Sequence, residues 1–284
     1  MTTPVGIDLG TTNTAAAYID AAGTTAMIAN TEGDLLTPSV VLFEDESFVV
    51  GKEAKHAVLT EPTRVAEWVK RDMGEPAYNR PIRGEKLPPE VIQGCILHRI
   101  ESEISLLLGN DYKAVITVPA YFDEPRRTAT AAAAEMAGIP ILDIVNEPTA
   151  AALAFGEATG YLNVKGDIRK ELTVLVYDLG GGTFDVSLLK LSPGDVTMLA
   201  SDGDVKLGGY DWDVRLVEHL ADQVEREHGR DIRNDDIGFA RLYEAAVQAK
   251  HTLSARQKAT IRIVHRDISF KTEITRDKFE RLTV

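Results

Sequence analysis

Two stretches of the chain share one design: VGIDLGTTNTAAAYI at residues 5–19 and VYDLGGGTFDVSLLK at residues 176–190. In each, an apolar strand leads to an Asp and a Leu, then to a turn rich in Gly and Thr, and then to a second β-rich strand. Glycine lets backbone N–H groups approach a phosphate that a Cβ would obstruct, and threonine adds hydroxyl donors. A single such turn usually only reverses the chain. Two copies predict two lobes that clasp one polyphosphate from both sides.

An aspartate closes the first strand of each copy, at Asp8 and at Asp178. Carboxylates in this position can hold a hydrated Mg²⁺ ion beside the phosphates. Neither copy contains the Walker A pattern G-x-x-x-x-G-K-[ST] or the dinucleotide fingerprint G-x-G-x-x-G. The repeat therefore indicates a phosphate clamp of a different kind.

Hydrophobic spacing predicts alternating strands and helices along the rest of the chain, which is typical of an α/β fold. The predicted strands are 5–9, 14–19, 25–28, 39–43, 48–50, 114–118, 141–145, 172–177, 184–191, 196–202, 259–264 and 268–274. The predicted helices are 88–108, 127–137, 148–155, 209–228 and 235–253, followed by a short last helix capped by Thr275.

The polar segment 157–171, with its two glycines, predicts a boundary between two lobes. Lobe I comprises residues 1–162 and lobe II residues 163–284. The last helix has only one or two turns before the chain ends, and so short a helix buries little apolar surface by itself. We therefore expect lobe II to be incomplete at its C-terminal end.

The composition is that of an acidic globular protein. With 31 Lys and Arg against 44 Asp and Glu, the net charge is −13, which argues against a nucleic-acid partner. The N-terminus MTTPVGIDLG lacks the pattern of a signal peptide, and no apolar run approaches the roughly 20 residues that span a bilayer. We therefore expect a cytoplasmic protein with no membrane partner. The single cysteine, Cys95, lies in an apolar run and is expected to be buried and unreactive.

A series of motifs distributed over the chain shares one resemblance. They are IDLGTTNT (7–14), TPSVV (37–41), VGKEAKH (50–56), VKRDMG (69–74), AVITVPAYFDEPRRTAT (114–130), NEPTAAALAFG (146–156), DLGGGTFDVSLL (178–189), LGGYDWD (207–213) and ITRDKFERL (274–282). Together they resemble the N-terminal ATPase domain of the seventy-kilodalton heat-shock chaperones of the DnaK type. The resemblance implies a two-lobed, actin-like (ribonuclease H-like) α/β fold with duplicated β-hairpin phosphate clamps. It also implies that ATP and ADP bind with Mg²⁺.

The resemblance assigns roles to residues of both clamps. The phosphate-binding residues that it implies are Gly10, Thr11, Thr12 and Asn13 in lobe I and Gly180, Gly181, Gly182 and Thr183 in lobe II. The implied catalytic group is Lys70, Glu147, Asp178, Thr183 and Asp8. The implied metal residues are Asp8, Glu147 and Asp178 for Mg²⁺, mostly through water, and Asp185 for a monovalent cation such as K⁺. The remaining nucleotide-binding residues are Gly208, Gly209, Lys250, His251 and Ser254. Such a set suits phosphoryl transfer, in which positioning and charge stabilisation do most of the catalysis.

Taken singly, these residues allow simpler interpretations. Lys70 alone would be a solvated surface cation. We expect Lys70 to be exposed and to serve catalysis rather than folding, so that its change to Ala alters stability by no more than about 0.5 kcal/mol. Glu147 would be a carboxylate that stabilises a helix start. Pro119 and Arg127 match a family pair that relays the nucleotide state to the lobe surface; alone they would be a strand stop and an exposed cation.

Three departures from the family pattern stand out. The helix that contacts adenine has Val247 in place of the usual Glu and His251 in place of an Arg, which weakens stacking on the base. Asp143 replaces a basic residue that meets the acidic docking motif of a J-domain co-chaperone, so like charges would repel that partner. The second adenosine loop, the closing helix, the interdomain linker and the peptide-binding domain of the family are absent.

We therefore expect an ATPase domain of a DnaK-like chaperone, with weak or impaired activity in this shortened form. In the full-length protein the expected partners are a peptide-binding domain, a J-domain co-chaperone and a nucleotide-exchange factor. The first alternative is a degenerate module that binds nucleotide, or none, and serves as an interaction platform. The second is a small-molecule kinase, which would need an Asp as general base where this chain has Glu147 and Lys70.

Overall fold

The computed structural model describes residues 2–162 and 170–284 and confirms the predicted α/β class. The predicted lobe boundary after residue 162 adjoins segment 163–169, which lies outside the described residues. None of the helices in the two described ranges combines the length and apolar character that crossing a bilayer requires.

The elements alternate along the chain as expected. The strands are β1 (Thr3–Leu9), β2 (Asn13–Ile19), β3 (Thr25–Ile28), β4 (Thr37–Pro38), β5 (Val41–Phe43), β6 (Phe48–Val50), β7 (Val65–Ala66), β8 (Tyr112–Val118), β9 (Ile141–Asn146), β10 (Leu172–Leu179), β11 (Phe184–Ser192), β12 (Asp195–Asp204), β13 (Lys258–His265) and β14 (Ile268–Thr275). The α-helices are α1 (Lys52–Ala57), α2 (Pro89–Leu108), α3 (Glu124–Met136), α4 (Glu147–Ala158), α5 (Gly209–His228), α6 (Asp236–Ala255) and α7 (Arg276–Leu282). Short 3₁₀ helices of three or four residues cover Pro62–Arg64, Val69–Asp72 and Ile232–Asn234.

Capping residues explain two helix starts. The predicted helix 127–137 begins earlier, at Glu124, because the Asp123 side chain accepts a hydrogen bond from the Arg126 N–H. Thr275 caps α7 as predicted, accepting from the Lys278 N–H. The short elements α1, β4 and β7 were not predicted, since pieces of two to six residues carry little periodic signal.

The central sheet of lobe I has the order β3-β2-β1-β8-β9, with β4 added against β2. The first three strands form an antiparallel meander, and β8 and β9 continue the sheet in parallel with β1. The ends of β1, β8 and β9 therefore meet at one edge, and Asp8, Thr117 and Asn146 lie there. This edge positions the candidate site.

Lobe II repeats the meander as β10-β11-β12. Leu9 pairs with Thr14 in the first hairpin, and Leu179 pairs with Phe184 in the second, so the two loops have the same length. One residue earlier, Asp8 and Asp178 occupy equivalent positions. The internal repeat seen in the sequence is thus a structural repeat.

Each lobe has its own apolar core. Lobe I is built around β1, β8 and α2, with Ile7, Ile96 and Ile116 fully buried. In lobe II, α5 and α6 pack on the β13–β14 hairpin around Leu216 and Leu242. Helix α4 connects the lobes, because its Ala152 packs into a third core with residues of β11.

Cys95 is partly buried against the lobe I core, and burial raises the pKa of its thiol to about 11. Only a small fraction of the Cys95 side chain is present as thiolate at pH 8, and the thiolate is the form that reacts as a nucleophile. We expect the native chain to react with iodoacetamide at pH 8 about 100-fold more slowly than the unfolded chain. The measurement is the alkylation rate followed by mass spectrometry, with and without guanidinium chloride. Equal rates would show that Cys95 is accessible to the reagent and that the pKa of its thiol is not raised.

Candidate functional site: the cleft between two phosphate-clamp turns

The first turn, residues 10–13, is held from lobe I. A Cβ on Gly10 would lie 2.1 Å from the Asn13 carbonyl oxygen, so the turn requires glycine at this position. Ser39 braces the turn by donating from Oγ to the Gly10 carbonyl (2.8 Å) and from N–H to the Thr12 carbonyl (2.9 Å). The Thr14 and Ser39 hydroxyls are hydrogen bonded at 2.9 Å.

The second turn, residues 180–183, is held from the start of α5. Its own closing bond runs from the Gly180 N–H to the Thr183 carbonyl at 2.9 Å. The Gly209 N–H donates to the Gly180 carbonyl at 3.1 Å. Gly208 packs so closely that its Cβ would lie 2.6 Å from the Gly182 nitrogen. Helix α5 and the second turn therefore behave as one unit.

The two turns touch each other across the lobes. A Cβ on Gly181 would lie 2.0 Å from Thr12 Oγ1, and one on Gly182 would lie 2.6 Å from Thr11 Cγ2. Contacts this close leave no room for any side chain at the two glycines. The predicted juxtaposition of the clamps is therefore what the fold produces.

Behind the turns lies a cleft of about 810 Å³. Of the predicted site residues it brings together Asp8, Gly10, Thr11, Thr12, Asn13, Lys70, Glu147, Asp178, Gly180, Gly181 and Thr183. Ala150, Ala151 and Ala154 on one face of α4 complete its wall. Small side chains there leave space for a ligand.

Lys70 and Glu147 form a buried ion pair in the cleft. The Lys70 Nζ donates to Glu147 Oε1 at 2.5 Å, and the two side chains are only 5% and 13% exposed. The expectation of an exposed lysine was wrong. Burial raises the pKa of Glu147; Lys70 lowers it, while Asp8 and Asp178 raise it further. Among the described residues, Lys70 is the only cation that lines this cleft, and it is already paired with a carboxylate.

Asp8 and Asp178 stand at the ends of the equivalent strands β1 and β10. Thr117 donates from Oγ1 to Asp8 Oδ1 at 3.0 Å and orients that carboxylate. Burial raises the pKa of Asp178, an effect that Lys70 opposes and Asp8 reinforces. A buried carboxyl whose pKa is raised by burial and by a neighbouring acidic group favours an added cation.

Asp185 lies on β11 just behind this group and is 2% exposed. Its Oδ1 has no hydrogen-bond partner in the described part of the chain, and burial raises the pKa of the carboxyl. Within residues 2–162 and 170–284, no three acidic, His or Cys side chains are close enough to hold a metal ion directly.

The remaining predicted residues lie outside the cleft lining. Gly182, Gly208 and Gly209 pack around the second turn. Lys250 is paired with Asp213 at 2.7 Å and donates to the Gly209 carbonyl at 2.9 Å. His251 and Ser254 are exposed on α6.

Pro119 directly follows β8, and Arg127 on α3 contacts the end of β9. Pro119 is buried directly after β8, and its carbonyl accepts from the Phe122 N–H at 3.1 Å. Arg127 is half-buried and donates to Asn146 Oδ1 at 2.5 Å and to the Phe122 carbonyl at 3.0 Å. Arg127 thus contacts the residue that precedes Glu147, rather than extending into solvent.

Sequence reasoning missed residues that support the site. Ser39 and Thr117 brace the first turn and Asp8, and Arg71 forms an interlobe ion pair with Asp211 at 2.7 Å. The motifs TPSVV, AVITVPAYFDEPRRTAT and VKRDMG contain the first three of these residues, but no spacing rule predicts such long-range partners.

Comparison with known proteins agrees with this geometry. The family model described as Hsp70 protein matches residues 4–284. The chain belongs to the Hsp70 family. Its fold is therefore the actin-like ATPase fold of the Hsp70 nucleotide-binding domain, as the resemblance implied. Membership in this family sets aside the small-molecule kinase alternative.

Three curated relatives, each named "Chaperone protein DnaK", show the extent of the similarity. The Halobacterium salinarum protein is 43% identical over 98% of this chain and 44% of its own length. The Mycoplasmopsis agalactiae protein is 41% identical over 98% of this chain and 46% of its own length. The Thermotoga maritima protein is 41% identical over 98% of this chain and 47% of its own length. The chain thus spans less than half the length of each of these relatives.

The first turn offers a matched pair of glycine substitutions. Gly10→Ala places a Cβ 2.1 Å from a backbone oxygen. By contrast, a Cβ on Gly6, in the strand β1 that leads to this turn, meets nothing within 4 Å. We expect Gly10→Ala to lower the free energy of unfolding by about 1–3 kcal/mol and Gly6→Ala to change it by less than about 1 kcal/mol. Urea titration followed by circular dichroism measures both. Equal effects would mean that the turn does not need glycine.

Proposed function

We propose that this chain binds and hydrolyses ATP as the nucleotide-binding domain of a DnaK-like chaperone. The observation that carries the proposal is the contact between two equivalent glycine-rich turns at one cleft that contains Lys70, Glu147 and two further carboxylates. Backbone N–H groups of the two turns would bind the phosphates, as in other phosphate-binding nests. Nucleotide state would then be coupled to rotation of lobe I against lobe II.

The buried ion pair supplies the catalytic group in this proposal. Lys70 would leave its pairing with Glu147 in part to meet the γ-phosphate, stabilising the charge of the transition state. Glu147, Asp178 and Thr183 would orient the attacking water. These groups already line one cleft, so the rearrangement that the proposal requires is the shift of Lys70 from Glu147 toward the phosphate.

The carboxylates fit a hydrated Mg²⁺ ion. Asp8, Glu147 and Asp178 line one cleft, and no three acidic side chains in the described ranges are close enough for direct coordination, which favours water-mediated binding. Mg²⁺ supplies positive charge that neutralises phosphate oxygens. Asp185, buried on β11 behind these carboxylates, would bind a monovalent cation such as K⁺; its Oδ1 has no hydrogen-bond partner among the described residues.

Signal relay and partners complete the proposal. The Arg127–Asn146 hydrogen bond beside Glu147 supports a relay from the cleft through Pro119 and Arg127 to the surface of lobe I. A cytoplasmic location, a peptide-binding domain, a J-domain co-chaperone and a nucleotide-exchange factor are proposed from the DnaK relatives. The division into lobes at residues 162 and 163 is proposed from the separate cores.

A nucleotide-binding module with weak or no ATPase activity is the second candidate. It is favoured by Val247 and His251, which stand on α6 in place of the Glu and the Arg that the family usually has where it contacts adenine. Lys250, the matching lysine, is engaged with Asp213. This alternative keeps the phosphate clamp and loses part of the base recognition.

Lys70→Ala separates the two candidates. We expect it to reduce single-turnover ATP hydrolysis at least roughly tenfold, because one electrostatic contact to the transition state is removed. It should also lower the free energy of unfolding by about 1–3 kcal/mol, since Glu147 is left buried without its partner. Quenched-flow hydrolysis and urea titration are the measurements.

Lys113→Ala is the matched control, because Lys113 is an exposed lysine on β8 and should affect neither quantity. A hydrolysis rate that Lys70→Ala leaves unchanged would contradict the catalytic role. ATP binding by the wild type without measurable hydrolysis would support the nucleotide-binding module.

Asp143 tests the proposed J-domain contact. Its side chain is exposed on β9 and does not line the cleft. We expect Asp143→Arg to tighten binding of an isolated J-domain by roughly 2- to 10-fold, less at high salt, because repulsion becomes attraction. Titration calorimetry at two salt concentrations measures this. The control Asp195→Arg changes the net charge equally at an exposed site on β12. If both variants bind alike, the contact lies elsewhere.

A further inference from the structure

Three aromatic rings meet across the lobes at the edge of the cleft. Trp68 of lobe I lies 4.8 Å from the Tyr210 ring and 5.1 Å from the Tyr243 ring of lobe II, centroid to centroid. The interplanar angles are 56° and 50°, and the two tyrosine rings are 6.4 Å apart. These distances are those of attractive aromatic pairs. We call Trp68, Tyr210 and Tyr243 the aromatic clasp.

Cations of lobe I reinforce the clasp. The Arg71 guanidinium lies 4.4 Å from the centre of the Tyr210 ring, and that of Arg80 lies 5.5 Å from the centre of the Trp68 ring. Both distances are within the range of cation–π attraction. The clasp therefore joins the lobes by more than apolar contact.

Lobe I holds Trp68 in a constrained position. Its backbone is left-handed, with φ 57° and ψ 25°, a conformation that a bulky residue adopts only when its surroundings enforce it. The preceding residue, Glu67, is fixed by Tyr78, whose hydroxyl donates to the Glu67 carbonyl at 2.9 Å and accepts from its N–H at 3.1 Å. Lys55 pairs with the Glu67 carboxylate at 2.7 Å. Trp68 thus projects from a rigid support.

In lobe II, Trp68 packs against elements that hold the second phosphate turn. Tyr210 is in the first turn of α5, and its N–H donates to the Gly181 carbonyl at 2.8 Å. Next to it, Asp211 accepts two hydrogen bonds from Arg71, at 2.7 and 2.8 Å, and one from the Gly208 N–H at 2.8 Å. The clasp is therefore connected to the clamp through one turn of helix.

Lys70 stands between the two interlobe contacts. It belongs to the 3₁₀ helix Val69–Asp72, which Trp68 precedes and which contains Arg71. Lobe II contacts the chain at residue 68, two positions before the lysine, and at residue 71, directly after it. Two interlobe contacts thus flank Lys70, which lobe I itself holds through Glu147.

We propose that Trp68, with Tyr210 and Tyr243, is a positioning residue for Lys70 and restricts hydrolysis to the closed state of the lobes. This inference rests on the proposed ATPase function. When the lobes separate, the clasp parts and the 3₁₀ helix loses its outer support. Lys70 is then no longer held against the γ-phosphate site. The clasp couples lobe closure to catalysis through the geometry of one lysine.

The main test is Trp68→Ala in the 284-residue chain. We expect kcat for ATP hydrolysis to fall roughly 5- to 30-fold, as expected from the loss of two ring pairs, while KM changes less than about twofold. Trp68→Phe keeps an aromatic ring and should restore kcat to within about threefold of the wild type. Tyr210→Leu removes the contact from the lobe II side and should reproduce the loss without altering the support of Trp68.

Action through Lys70 is tested by combining variants. Because a positioning residue works only through its target, Trp68→Ala should cause less than about a twofold further loss in a Lys70→Ala background. An equal loss in both backgrounds, or an unchanged kcat in Trp68→Ala and Tyr210→Leu, would overturn the proposal. A thermal melt of each variant checks that it is folded; if Trp68→Ala does not fold, Trp68→Phe and Tyr210→Leu decide.

Fluorescence gives a readout independent of turnover. The chain has two tryptophans, so in Trp212→Phe the emission comes from Trp68 alone. We expect Tyr210→Leu to shift that emission to the red and to increase its quenching by acrylamide; no shift would overturn the clasp. A wild-type chain that binds no ATP, or binds it without hydrolysis, would instead refute the proposed function and with it the role in catalysis.

Discussion

The approach of two backbone turns to within a side chain's width is the constraint on which the site depends. Gly181 and Gly182 of lobe II lie against Thr12 and Thr11 of lobe I so closely that a single Cβ on either glycine would collide. This contact fixes how far apart the lobes stand when closed. The strands β1 and β10 lead directly into the two turns, and the start of α5 is hydrogen bonded to the second turn, so the rest of the cleft is built around this contact.

Electrostatics in the cleft are arranged around an excess of acid. Burial raises the pKa values of Glu147 and Asp178, Asp8 raises both further, and the lysine in the cleft is already paired with Glu147. An anionic triphosphate entering such a site needs added positive charge and N–H donors. The glycine turns provide the donors, and a hydrated cation would provide the charge. The family's dependence on both follows from this balance.

The two lobes are joined on either side of the cleft by different means. On one side α4 begins with Glu147 and packs Ala152 into the core with residues of β11, so this connection is apolar and buried. On the other side Trp68 and Arg71 meet Tyr210 and Asp211, a contact of rings and charges at a half-exposed edge. One buried apolar connection and one partly exposed contact of rings and charges suit a cleft that opens by a hinge.

The sequence by itself determined the repeated hairpins, nearly all of the longer strands and helices, and, through resemblance, the residues that line the cleft. These features depend on local periodicity, on capping and on glycine turns, which are written in consecutive residues; α5 at 209–228 is an example. Only the tertiary structure decided that Lys70 is buried, because its partner Glu147 is 77 residues away. The same holds for Ser39 beneath the first turn and for Trp68 between two tyrosines. Contacts between distant segments form only when whole lobes pack, and no short pattern encodes them.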